Sequence, residues 1–105
     1  MSAEIVFALY RPKAGHEAEL EQLVRRHGPV LRERELITDR PTVLGLAADG
    51  TFVEVFEWVS PDASRKAHEV PQVAQIWEAM AVHGSFAKLG DLIEAKHSFP
   101  HFKPL

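Results

Sequence analysis

The sequence predicts an α+β domain, a β-α-β-β-α-β sandwich that pairs with a second copy of itself through its sheet. Three observations carry this. A helix-period segment separates a strand-like N-terminal run from a hairpin, a second helix-period region follows the hairpin, and the strands bear apolar side chains on both faces.

Taken in order, Glu4 to Arg11 (EIVFALYR) reads as a strand rich in β-branched and aromatic residues, broken by Pro12-Lys13-Ala14-Gly15. From His16 the spacing becomes helical. Leu20, Leu23, Val24, His27 and Leu31 share one face, and Glu17, Glu19, Glu21, Arg25 and Arg26 lie outside it. Gly28-Pro29 predicts a kink or restart, because proline removes a backbone donor and crowds the preceding turn. The helical stretch is expected to end near Leu36. Thr42–Ala47 and Thr51–Val59 form two strands around Ala48-Asp49-Gly50, where glycine accepts the positive φ of a tight turn. Ser60-Pro61-Asp62 predicts a helix start with Ser60 as cap and a stop by Val70. Pro71 opens another helix, with Val73, Ile76, Trp77 and Met80 on its buried face, ending at His83-Gly84. Ser85–Leu89 is the last strand. The domain thus spans residues 1–92, and a C-terminal tail, 93–105, carries Phe99, Phe102 and Leu105 and packs on the domain or on a dimer partner.

The strand Thr51–Val59 decides the assembly. Phe52, Phe56 and Trp58 point to one face and Val53, Val55 and Val59 to the other; Ile5, Phe7 and Leu9 likewise oppose Val6, Ala8 and Tyr10. Right-handed crossovers put both helical regions on one side, so the other apolar face needs a cover. A second copy of the same sheet is the economical one, which predicts a homodimer.

Composition excludes several classes. Hydrophobic residues make up 46% and charged residues 26%, and the net charge of −3 comes from 12 basic and 15 acidic residues interspersed along the chain. No basic cluster suits nucleic acid or an anionic membrane. There is no bilayer-length apolar run and no secretory pattern, and cysteine is absent, which together predict a cytoplasmic location.

The candidate chemical groups each have a plain structural alternative. His97 and His101 have H-x-x-x-H spacing, but Pro100 between them denies the helix that gives the spacing meaning, so no metal is expected. Glu54 and Glu57 interrupt an apolar strand, one on each face. Each is a desolvated acid–base group or pairs with an arginine, Arg11 or Arg40 being candidates, or one of them lies at the sheet rim. His27, on an apolar helix face, reads as a satisfied structural histidine. Trp77 suits core packing and pocket lining equally.

Leu44-Gly45-Leu46, the Asp49-Gly50-Thr51 turn, Val53-Glu54-Val55-Phe56-Glu57-Trp58 and Ala67-His68-Glu69-Val70-Pro71-Gln72-Val73 resemble the antibiotic-biosynthesis monooxygenase domain family. The resemblance implies a ferredoxin-like subunit in a dimeric α/β barrel. It implies one of two chemistries: oxidation of a small aromatic or quinone-like molecule with no cofactor, or haem binding and degradation. The second uses an Asn of the first strand with a Trp and a His. This chain has no Asn, Phe7 stands at about that position, and His68 and Trp77 occur in the opposite order. Three readings follow: a cofactor-independent oxygenase, a non-catalytic dimeric domain that binds a small molecule, and a haem-handling protein resting on His68. For the first, the expected site has His68 as base and Phe7, Trp58 and Trp77 around a flat ring, in a pocket between sheet and helices.

Overall fold

The computed structural model describes residues 2–105 as one α+β unit, with a five-stranded antiparallel sheet and three α-helices. The elements are β1 (Glu4–Pro12), α1 (Glu17–Glu33), β2 (Val43–Leu46), β3 (Phe52–Trp58), α2 (Ala63–Ala67), α3 (Pro71–His83), β4 (Gly84–Phe86) and β5 (Lys103–Pro104). The strand order is β4-β1-β3-β2-β5.

β1 and β3 form the centre of the sheet, in a register that sets Ala8 opposite Glu54 and Phe7 opposite Val55. Because side chains alternate along a strand, this register fixes two faces. Val6, Ala8, Tyr10, Phe52, Glu54, Phe56 and Trp58 face the helices. There they meet Leu20, Leu23, Val24 and Leu31 of α1, Ala63 and Ala67 of α2, and Val73, Ile76 and Met80 of α3. Ile5, Phe7, Leu9, Val53 and Val55 lie on the other face.

Local rules account for most boundaries. Gly50 takes φ +91 in the β2–β3 turn, and Asp49 accepts the Thr51 N–H there at 2.9 Å. Pro71 occupies the first turn of α3, where its missing N–H costs nothing. At Pro29 the helix does not break and restart: α1 runs unbroken from Glu17 to Glu33. Pro29 sits on the exposed side of a helix whose buried stripe, Leu20 to Leu31, anchors both flanking turns, so one lost backbone bond is tolerated. The helix also stops three residues before Leu36. Glu35 adopts φ 58, and the Leu36 N–H reaches back to the Leu31 carbonyl at 3.0 Å. That reversal sends Leu36 and Ile37 into the core, and Ile37 bridges to Trp58 at the end of β3. Asp62, not Ser60, flanks the start of α2, and it binds Arg65 through both carboxylate oxygens. β4 is three residues long and ends at Phe86 rather than Leu89.

The tail crosses the outer face of its own sheet, and its last residue, Leu105, packs with the helix-side core. Leu92 is buried with Leu9, Ala47 and Val53, while Phe102 packs against this group and sits over Gly45. A side chain at Gly45 would meet the Phe102 Cβ at 3.2 Å and the Lys103 carbonyl at 3.3 Å, so glycine lets the tail approach closely. β5 then pairs with the edge of β2. The cover is partial: Ile5 remains 59% exposed, Phe7 48% and Val43 62%. Phe7, Val43, Val53, Val55 and Phe102 line a shallow apolar groove of about 240 Å³ on this face.

Candidate functional site

The polar centre of the molecule is buried between the sheet and α1. Glu54 is fully buried and His27 is 2% exposed. Glu54 reaches this position by strand alternation, sharing a face with Phe52, Phe56 and Trp58. His27 lies on the buried stripe of α1. Glu54 Oε1 lies 2.8 Å from His27 Nδ1 and accepts the Tyr10 hydroxyl at 2.6 Å, while the Trp77 indole Nε1–H donates to His27 Nε2 at 2.9 Å.

These contacts fix the protons. An indole N–H can only donate, so His27 Nε2 is the acceptor and Nδ1 carries the hydrogen. His27 is therefore a neutral imidazole whose Nδ1–H donates to Glu54. Burial, the neighbouring Glu54 charge and the hydrogen bond to Glu54 raise the Tyr10 phenol far above its ordinary range, so Tyr10 remains a donor. Glu54 Oε1 takes two donors, while Oε2 is buried with no protein partner among the described residues. A side-chain carbon at Gly28 would meet Glu54 Oε2 at an ordinary contact distance of 3.8 Å and the Thr42 methyl more tightly, at 3.3 Å. A carboxylate on the Nδ1 side of a histidine holds the ring in one tautomer and stabilises an imidazolium formed at Nε2.

This network forms one wall of a cleft of about 280 Å³. The cleft runs beside β1 where β4 is too short to pair with it, and its lining includes Tyr10, His27, Phe56, Trp58 and Trp77 on the helix side. Phe7 joins from the opposite face of β1 at the rim, with Phe86 and Ala87. The rings meet edge to face: His27 and Phe56 at 5.7 Å, and Phe56 and Trp58 at 4.9 Å between centroids.

Of the residues expected at the site, the structure brings Phe7, Trp58 and Trp77 to one cleft. His68 stands elsewhere. It is exposed at the end of α2, outside the cleft lining, and its ring meets the edge of Trp77 at 4.7 Å. The imidazole at the cleft is His27, read from sequence as structural. Two signals pointed to it: a polar residue on an apolar helix stripe and a carboxylate on the sheet face opposite. Their pairing needs the register, because 27 residues separate them. Glu57 is the ordinary case, bound by Thr38 at 2.8 Å and Arg40 at 3.2 Å, both of which hold its carboxyl below the usual range. Arg11 pairs instead with Asp49.

His97 and His101 are exposed in the tail, and no group of three or more His, Cys, Asp or Glu able to hold a metal occurs among the described residues. Nor is any described helix long and apolar enough to cross a membrane.

The class that fold and site define is a small α+β domain with a Tyr–Glu–His–Trp network walling an aromatic cleft. No family model matches the sequence, and no curated protein matches it.

Proposed function

We propose that the chain is a ferredoxin-like subunit of a dimeric α/β barrel of the antibiotic-biosynthesis monooxygenase kind, and that its cleft oxidises a small hydroxylated aromatic or quinol-type molecule without a cofactor. The observation that carries this reading is the buried His27–Glu54 pair at the wall of an aromatic cleft. The strand order β4-β1-β3-β2 with the helices on one face supports the ferredoxin-like assignment. The uncovered apolar residues Ile5, Phe7 and Val43 support a sheet-to-sheet homodimer.

The chemistry follows from the protons. A substrate hydroxyl takes the place of the Trp77 N–H on His27 Nε2, which requires the half-buried indole to turn aside. His27 takes the hydroxyl proton, and Glu54 stabilises the imidazolium. The electron-rich anion, held among Phe56, Trp58 and Trp77, passes an electron to dioxygen, and the two recombine at ring carbon. Loss of water leaves a carbonyl. A ring C–H thus becomes C=O: one oxygen atom of O₂ enters the product, and the other leaves as water with that ring hydrogen and the hydroxyl proton returned by His27. The substrate supplies every electron.

Oxygen uptake with a panel of anthrones and quinols tests this. The wild-type protein should consume oxygen with at least one of them, and His27→Gln should lower kcat/KM by about 10²–10⁴, the usual worth of a positioned general base. Substrate quenching of tryptophan fluorescence should persist in the variant. If wild-type protein binds members of the panel and consumes no oxygen, the domain is a binding module; if His27→Gln turns over as fast as wild type, His27 is not the base.

A further inference from the structure

Outside the cleft lining, His16 precedes the first turn of α1 and His83 is the last residue of α3. Their Nδ1 atoms lie 2.9 Å apart and their ring centroids 5.2 Å apart. We propose that this pair is a binding site for a late first-row divalent metal ion, of the Zn²⁺ or Cu²⁺ class.

The backbone holds the two rings in place. The Lys13 N–H donates to the His83 carbonyl at 2.9 Å, and the His16 N–H donates to the Lys13 carbonyl at 2.9 Å, so one short loop ties both residues. Gly84 presses the chain after His83 against β1, where a side chain would come within 2.5 Å of the Arg11 carbonyl oxygen. Both rings are half-buried, open enough for an ion to enter.

The spacing fits a shared metal. With Zn–N bonds of about 2.05 Å, two imidazoles on a tetrahedral ion have nitrogens about 3.3 Å apart and ring centroids about 5.2 Å apart. The centroids here already have that separation. Binding requires each ring to turn in place so that the Nδ1 lone pairs converge beside the line that now joins them. As the metal enters, the proton between the two nitrogens moves to Nε2 of the ring that held it, so that both imidazoles ligate as neutral rings through Nδ1. Imidazole pairs favour Cu²⁺, Ni²⁺ and Zn²⁺ over Mg²⁺ and Ca²⁺, which prefer oxygen donors. No third His, Cys, Asp or Glu completes a cluster among the described residues, so water fills the remaining positions. An ion there clamps the start of α1 to the end of α3, the two helices that carry His27 and Trp77.

Thermal unfolding with millimolar ZnCl₂, and separately CuCl₂, against MgCl₂ tests the site. An ion at a hundred times its Kd raises the folded-to-unfolded ratio about 100-fold, which a melting curve resolves as a clear upward shift. Zn²⁺ should produce this shift in the wild type and in His97→Ala/His101→Ala, and Mg²⁺ should not. His16→Gln and His83→Gln should each abolish it. Should a glutamine variant fail to fold, the wild-type protein still decides: Zn²⁺ must move the imidazole nitrogen resonances of His16 and His83 together. A shift that survives in His16→Gln, a shift lost with the tail histidines, or wild-type resonances of His16 and His83 that ignore Zn²⁺ would each overturn the proposal.

Discussion

Replacing Glu54 by leucine is expected to destabilise the protein by about 3–5 kcal/mol, because it strands two buried donors that the carboxylate now satisfies. The Tyr10 hydroxyl and the His27 Nδ1–H both end on Glu54 Oε1, at 2.6 and 2.8 Å, and their surroundings exclude water. For a domain of this size the melting temperature should fall by more than about 10 °C. The sign of a second substitution makes the test sharper. Tyr10→Phe should destabilise the wild type, where it removes a donor to a charged group. In the Glu54→Leu background it should stabilise, because it removes an orphaned hydroxyl. A melting temperature within two or three degrees of wild type in Glu54→Leu, or a Tyr10→Phe effect of the same sign in both backgrounds, would show that the network contributes nothing as a unit.

The second large effect belongs to the outer face. Val55 is half-buried there, opposite Phe7 in β1 and Val43 in β2. In the proposed sheet-to-sheet dimer, Val55→Asp places an uncompensated carboxylate in the interface twice, once from each copy. Association should weaken by at least about 10³-fold, taking 1.4 kcal/mol per tenfold. Sedimentation should show two copies of the 11.8 kDa chain for the wild type and one for the variant. The far-ultraviolet circular dichroism should stay the same, since the outer face of the isolated subunit meets water. A wild-type monomer at micromolar concentration would remove the dimer from the account and leave the cleft intact.

Much of the fold was legible because its determinants are local. Asp49-Gly50 marked the hairpin, Pro71 marked the start of α3, and alternation along Phe52–Trp58 separated the two faces before any pairing was known. What failed depended on context. Pro29 looked like a break, yet the buried stripe on either side of it keeps α1 continuous. Ser60 looked like a cap, yet the helix begins after Asp62. The tail looked irregular because two-residue β5 and its seat over Gly45 arise only from contact with β2. Aromatic residues on the helix-facing side of the sheet pointed to the cleft, and Trp58 and Trp77 line it. Phe7 reaches it from the other side of β1, which alternation forbids inside the sheet and the short β4 permits at its edge. His68 drew notice because a proline follows it closely, but α2 ends with its ring on the outer side of Trp77. His27 and Glu54 came together only through the β1–β3 register and the packing of α1, and a linear sequence displays neither.

In the proposed reaction His27 accepts a proton from an aromatic hydroxyl held in the cleft. The most direct measurement is the absorption spectrum of a bound hydroxyanthraquinone, which does not react with oxygen and whose colour reports whether its hydroxyl is ionised. At a pH where the free dye is neutral, the wild-type complex should show the band of the anion, with the proton on His27 beside Glu54. The His27→Gln complex should bind the same dye and show the neutral band. A neutral band in the wild-type complex, or the anion band in both, would contradict the account.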